Sequence, residues 1–297
     1  MELKVSYNAS AMIMGPYANA PWSLEKTIRF TCECGYDGIE ISGIRPHLHH
    51  VDYQTETSRV EAANLISESG LGVSGYTPNL NSTPPTETDE NVYLDQIKKC
   101  LDIASYFKAP NVRIDTVLPP CEIPHDEYER KIERLITVWG RASELAAEYG
   151  IDLVWEYEPG FWLNKPSEIL RVIRTVDNAR LRLLFDSCHA YMTGVYCARQ
   201  PGEPEKLAGG FGELVEKQVS YIGHIHLIDS DGTLHDDETS RHIPFGEGKI
   251  DFKVLLNDLK PALEKLQWIT VDYCFHVLTG SQGKDAADFV RARIKEL

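Results

Sequence analysis

Two rhythms of apolar and polar residues alternate along this chain. Short apolar or period-two runs predict strands at Lys4–Asn8, Gly38–Ser42, Gly72–Tyr76, Asn111–Asp115, Ile151–Glu156, Leu181–Asp186, Tyr221–Ile228 and Trp268–Tyr273. Between them, apolar positions recur every three or four residues. That spacing predicts helices over Ser23–Cys34, Glu56–Ser69, Glu90–Phe107, Glu127–Tyr149, Pro166–Val176, Phe211–Gln218, Phe252–Leu266 and Lys284–Lys295. Gly35, Gly70 and Gly150 fall just past periodic segments, where a helix ends readily on a residue free to take positive φ.

Strand and helix alternate to the end without a linker, which is the pattern of βα units on a parallel sheet. Eight such units in 297 residues predict one α/β domain over 1–297, a (β/α)8 TIM barrel with its active site at the C-terminal ends of the strands. A doubly wound sheet fits less well, because no G-x-G-x-x-G follows the first strand. Two connections on the predicted active-site side are long: Thr77–Asn91, rich in Pro, Thr and Asn, and Asp229–Lys249, rich in charge and Gly. Loops of that length are expected to be lids or binding loops.

Composition narrows the function classes more than the fold. With 42% hydrophobic and 25% charged residues, the chain has ordinary globular usage and enough apolar side chains for a sizeable core. A formal net charge of −15 opposes phosphate backbones and anionic membranes, so neither nucleic acid nor a membrane is an expected partner. The start of the chain has no basic segment followed by a long apolar one, and no run of eighteen apolar residues occurs, so a cytoplasmic location is expected. Seven cysteines without C-x-x-C spacing read as reduced, mostly buried thiols.

The candidate chemistry gathers at strand ends. A carboxylate closing a buried run is costly unless a metal, a cation or hydrogen-bond donors receive it. IDLVWEYEPG presents Glu156 and Glu158, RLRLLFDSCH ends on Asp186 and His189, YIGHIHLID carries His224 and His226, and WITVDYCFH carries Asp272 and His276. Any one of these alone reads as a solvated acid; four strand ends in succession do not. In a barrel the last four strands are neighbours, so Glu156, Asp186, His226 and Asp272 can converge into a site of three carboxylates and one imidazole. That set is too oxygen-rich for structural zinc and suits a divalent ion with open positions, Mn²⁺ first, with Mg²⁺, Co²⁺ or Zn²⁺ as alternatives. His189, in the turn after its strand, is placed to meet substrate or a second metal.

Other polar residues have blander expectations. Strand alternation puts Glu158 on the face of Glu156, as a substrate contact or a structural hydrogen bond, and Trp155, Tyr157 and Trp162 read as packing. Glu40 in DGIEIS and the pair Arg113 and Asp115 in NVRID are expected to be structural ion pairs on the barrel wall. His47, His49 and His50 in RPHLHHVD are expected to be solvated or to cap the pocket rather than to bind metal. No G-x-x-x-x-G-K-[ST] offers a phosphate cradle.

GIDLVWE with Glu156, FDSCH with Asp186 and His189, GHIH with His226, and Arg241 ahead of FGEGKIDF together resemble the xylose-isomerase-like barrel superfamily, which includes hydroxypyruvate isomerase and the ketose 3-epimerases. The resemblance spans the chain and is specific from about Gly150 onward. It implies metal ligation by Glu156, Asp186, His226 and Asp272, and substrate contacts from His189 and Arg241. It also implies proton transfer alpha to a carbonyl by Glu156 and Asp272 on opposite faces of the substrate, through a metal-stabilised enediolate. A free carbohydrate substrate and a homodimer or homotetramer follow from the same likeness. The family's last ligand is usually Glu, whereas TVDYC offers Asp272; one methylene less moves a carboxylate on the order of 1 Å, enough to affect catalysis.

Related barrels support two competing activities. A lyase or dehydratase would use the same proton abstraction to expel a β-substituent, as inosose dehydratase, dehydroshikimate dehydratase and C-glycoside-cleaving enzymes do. AP endonucleases of the superfamily use three zinc ions to cut DNA, but GVSGYTPN and NVRIDT lack their extra histidines, and Ser240 stands where their Asp-Arg-His triplet begins, leaving Arg241 and His242. A barrel that binds without turnover is the remaining expectation from a different class.

Overall fold

The computed structural model of the chain describes residues 3–121, 123–236, 238–277 and 282–297. Every predicted strand is present: β1 Lys4–Asn8, β2 Gly38–Gly43, β3 Gly72–Pro78, β4 Asn111–Ile114, β5 Asp152–Glu156, β6 Leu181–Asp186, β7 Ile222–Leu227 and, after a hairpin of β8 Asp229–His235 and β9 Thr239–Ile243, β10 Trp268–Val271. The parallel strands close in the order β1-β10-β7-β6-β5-β4-β3-β2, a TIM barrel with helices around it. The helices include α1 Leu24–Glu33, α2 Glu56–Ser69, α3 Glu90–Tyr106, α4 His125–Tyr149, α5 Pro166–Val176, α6 Ser187–Tyr196, α7 Gly210–Gln218, α8 Phe252–Asp258, α9 Lys260–Leu263 and α10 Gln282–Ile294. Gly70 and Gly150 end α2 and α4 at positive φ, the conformation that makes glycine the favoured stop.

Strand pleating sorts the side chains. On β5, Leu153 and Trp155 face the helices, with Trp155 edge-on to Trp139 of α4 at 4.9 Å between ring centroids, while Glu156 faces the barrel axis. At the N-terminal end of the barrel, Trp268 lies against Gly38 and Gly72 and closes the floor. A Cβ at Gly38 would sit 2.5 Å from Trp268 Cζ3 and 2.8 Å from the Gly72 carbonyl, so there is space for no side chain. Gly38→Ala is expected to cost about 1–3 kcal/mol by overpacking. Urea unfolding followed by circular dichroism checks this, and an unchanged midpoint would refute the floor's tight fit.

Three segments differ from expectation, the first being Ser187–Tyr196, expected as the turn after its strand and found as α6. Asp229–Lys249 is not an irregular lid: its first part pairs as the β8–β9 antiparallel hairpin, with Ser230 opposite His242 and His235 opposite Thr239; residue 237 within it lies outside the described residues. The Gly-Glu-Gly turn after the hairpin wraps the Asp229 carboxylate, which accepts hydrogen bonds from the backbone N–H of Gly246, Gly248 and Ile250. The predicted helix Phe252–Leu266 is broken into α8 and α9, because Pro261 at the start of α9 has no N–H to continue the ladder. No helix among the described residues is long and apolar enough to cross a membrane.

Candidate active site

The ladder places the polar strand ends at one level. Asp186 is in register with His226, and His226 with Thr270, two residues before Asp272. One donor atom from each of Glu156, Asp186, His226 and Asp272 lies within 4.8 Å of all the others, and all four residues are buried. His226 Nδ1 is 3.2 Å from Glu156 Oε1 and 3.2 Å from Asp272 Oδ2. Glu156 and Asp272 of this cluster line a cavity of about 600 Å³ at the C-terminal ends of the strands, and Asp186 and His226 lie buried beside them.

Each ligand candidate is held by its other atoms. Asp186 caps α6, its Oδ1 accepting from the His189 N–H at 2.8 Å. Asp272 Oδ1 accepts from the Cys274 N–H at 2.7 Å, and Oδ2 from Asn8 Nδ2 at 3.1 Å. Ser187 Oγ donates to the Ile228 carbonyl and accepts from its N–H, tying the end of β6 to that of β7. Glu156 Oε2 lies 2.5 Å from Arg113 Nε, while Arg113 Nη2 reaches Asp115 at 3.3 Å. Glu156 Oε1, Asp186 Oδ2 and His226 Nδ1 are left buried without a hydrogen-bond partner.

That leftover set fits a cation. Burial alone would raise the Glu156 carboxyl, but Arg113 and His226 outweigh it and hold it below the usual carboxylate range. Asp272 is likewise held down against burial by His226 and His242. Asp186 is pushed well up, first by burial and then by the negative charges of Glu156 and Asp272. Burial opposes charge on His226, yet Glu40, Asp272 and Glu156 raise its pKa well above the ordinary value. Three carboxylates thus share one imidazole, with three partnerless donor atoms aimed at a common point. An oxygen-rich set with surplus negative charge is the donor chemistry of a divalent ion.

The remaining residues of the sequence reading fall inside and outside this cavity. Glu158 lines it, accepts from Thr239 Oγ1 and lies 3.4 Å from His189 Nε2. Burial, offset by the Thr239 hydrogen bond and reinforced by Glu156, pushes its pKa up to about 7. His189 is not in a loose turn but in the first turn of α6, buried, its pKa lowered to about 3 by burial and by His242. Arg241 does not reach the cavity: its side chain is 58% exposed, and the nearest acid, Asp231, is 3.9 Å away. Pleating of β9 turns Arg241 out and His242 in, so His242 lines the cavity with Asp186 and His189 as close neighbours.

Four residues that sequence reasoning set aside or missed stand at the site. Arg113 and Asp115 do form an ion pair, but they line the cavity and touch Glu156 rather than only bracing the wall. Asn8 closes β1 with an amide against Asp272, and a polar residue at a strand end was the signal that could have marked it. Glu40 is fully buried, paired with His224 and His226. Against burial, these two hold its pKa down at about 2.

The histidines of RPHLHHVD are not solvated as expected. His47 and His50 are buried, His47 Nε2 lying 3.0 Å from the Trp22 carbonyl and His50 Nε2 2.9 Å from Gln96 Oε1, and His49 stacks on His50. Burial, against the pull of the Trp22 hydrogen bond, lowers the His47 pKa from 6.5 to about 4. Below pH 6.5 the unfolded chain therefore takes up a proton that the folded one refuses, so stability falls as the pH drops through this window. The loss is expected to reach about 3 kcal/mol near the folded pKa. Urea titrations of wild type and His47→Gln on either side of the window check this; equal pH slopes would rule it out.

Comparison with known proteins agrees with the geometry. A curated relative, the fructoselysine 3-epimerase of Escherichia coli O157:H7, is 28% identical over 252 residues, 80% of each chain. The inosose dehydratase of Bacillus velezensis is 20% identical over 217 residues, covering 72% of this chain and 65% of that protein. The solved structure of the IOLI protein with a binding zinc atom superposes with a TM-score of 0.70 at 17% identity, over 98% of both chains, a likeness of fold. The family model described as xylose isomerase-like TIM barrel matches residues 28–286, from within α1 through β10 and so including Glu156, Asp186, His226 and Asp272 but not β1, and the chain belongs to that family.

Proposed function

We propose that this protein is a divalent-metal-dependent isomerase or epimerase of a sugar or sugar-like ketone, moving a proton alpha to a carbonyl. The observation that carries the proposal is the buried convergence of Glu156, Asp186, His226 and Asp272 at the cavity. The epimerase activity of the fructoselysine relative and the zinc of the IOLI structure point the same way. These four residues would hold the ion, Mn²⁺ by our preference. When bound, it supplies electrophilic stabilisation for negative charge developing on the substrate oxygens.

The chain's own groups do the rest. Glu156, from β5, and Asp272, from the end of β10, both line the cavity and both reach His226 Nδ1 at 3.2 Å, two carboxylates of which one would take a proton and the other return it. Glu158 and His189, adjacent on the wall, offer an acceptor and an imidazole to substrate hydroxyls.

One contact favours a second reading. Arg113 covers Glu156 Oε2, the oxygen that two-base epimerisation needs free. A lyase or dehydratase needs only one base, and the inosose dehydratase similarity accords with that. Incubation of the metal-loaded protein with ketoses, 3-keto sugars and inososes in D₂O separates the two. An epimer carrying solvent deuterium supports the first reading, whereas loss of water without an isomeric product replaces it with the second. Activity that survives exhaustive chelation would overturn both.

A further inference from the structure

Glu40 lies outside the four-residue cluster, yet the local backbone departs from regular geometry to accommodate it. The β2–β3 ladder slips at this point: Ile39 pairs with Val73 but Glu40 pairs with Gly75, leaving Ser74 as the extra residue of a bulge. Gly75 is the seat. A Cβ there would stand 2.9 Å from Glu40 Oε1 and 2.5 Å from Asn111 Oδ1, so any side chain would press on the carboxylate. From that seat the carboxylate spans both imidazoles of GHIH, with Oε1 2.9 Å from His224 Nε2 and Oε2 2.9 Å from His226 Nε2. Thr270 Oγ1 steadies His224 Nε2 at 3.1 Å. Glu40 Oε2 and His226 Nε2 have no hydrogen-bond partner elsewhere among the described residues.

A neutral imidazole carries a proton on one nitrogen and a lone pair on the other, and the group facing the first decides which is which. Carboxylates face both nitrogens of His226, but the oxygens at Nδ1 are those that would share an ion, whereas Glu40 at Nε2 has no such role and holds a proton there. The lone pair of Nδ1 is then directed at the point where Glu156 Oε1 and Asp272 Oδ2 also aim.

We propose that Glu40 is a positioning residue of the metal centre: held by the bulge and by Gly75, it fixes His226 as the Nε2-protonated tautomer with Nδ1 turned to the ion. This rests on the metal-site reading above and adds the residue that orients its imidazole. Carboxylates behind metal-bound histidines of this kind commonly account for about 10- to 100-fold in metal affinity.

The test uses the full-length protein and two readouts besides activity. Histidine-selective ¹⁵N NMR of the metal-free protein, read at alkaline pH where the His226 ring is neutral, reports its tautomer, and calorimetric titration with Mn²⁺ and with Zn²⁺ reports affinity. Glu40→Gln is expected to mix the tautomers and to weaken both ions about 10- to 100-fold. Gly75→Ala, which removes no polar group, is expected to act in the same direction by displacing the carboxylate. Thr270→Val, which removes a hydroxyl bonded to His224 and to Ser6 but not to Glu40 or His226, should leave both readouts unchanged. A Glu40→Gln protein that keeps the wild-type tautomer and affinity overturns the proposal, even if its melting temperature falls, because a merely structural ion pair would do only that. Should that variant not fold, Gly75→Ala decides by the same two readouts. If the wild type binds neither ion, the metal-site reading fails, and the tautomer of the metal-free protein still decides whether Glu40 holds the ring.

Discussion

Replacing Glu156 with Gln is expected to lower turnover by about 10³-fold or more, the range associated with loss of a proton-transfer group combined with damage to a metal site. The substitution keeps side-chain volume, so packing is not the cause. What it removes is charge: Gln offers the cluster a neutral carbonyl oxygen where Glu156 Oε1 now lies 3.2 Å from His226 Nδ1. It also leaves Arg113 with Asp115 as its remaining acid. Two measurements separate the contributions. Calorimetry gives the weakening of Mn²⁺ binding, and turnover at saturating Mn²⁺ gives the proton-transfer share. If the saturated variant retained most of its turnover, Glu156 would be a ligand only and the covered-oxygen argument for a single-base lyase would gain. Unchanged affinity and turnover together would remove the proposed site altogether.

Trp155→Ala should cause the largest loss of stability among single core truncations of β5. Trp155 is fully buried, packed edge-on against Trp139 of α4 and 6.4 Å from the ring of Tyr157. Removing a buried indole costs the transfer free energy and leaves a cavity that a closed barrel relaxes into poorly, together about 3–5 kcal/mol. For a chain of this size that corresponds to a melting point lower by on the order of 10 °C. Trp155→Phe, which keeps an aromatic ring against Trp139, should recover part of the loss. Calorimetry of both variants is the check, and a shift in Trp155→Ala no larger than that in Trp155→Phe would contradict the packing account. Since Glu156 follows Trp155 in the same strand, weaker metal binding in the Ala variant would show that helix–sheet packing also sets the height of the carboxylate.

Much of this was legible in the order of residues because the signals are local. A period of two or a short apolar run makes a strand, a three- and four-residue period makes a helix, and each such segment was recognisable without its neighbours. The acids and imidazoles at the ends of β5, β6, β7 and β10 were also visible, since a polar group closing an apolar run is anomalous wherever the strand ends up. Glu156, Asp186, His226 and Asp272 are therefore visible in the sequence alone, and the fold brings them together.

What remained hidden depends on pairing between distant segments. Arg241 and His242 differ by one residue, and in a strand one residue exchanges the inside for the outside; only the β8–β9 register, with Ser230 opposite His242, turns the imidazole in. The cover of Arg113 over Glu156 needs β4 beside β5, and the carboxylate of Glu40 on β2 meets His224, 184 residues away in sequence, and His226 on the same strand β7. The burial of His47 and His50 likewise comes from Trp22 and Gln96, in other segments. The sequence by itself determined the barrel's eight parallel strands and the four polar strand ends, because periodicity and anomalous polarity are properties of a few consecutive residues. Only the tertiary structure decided which second residue each of them meets, because register, bulges and closure are set by the packing of the whole barrel.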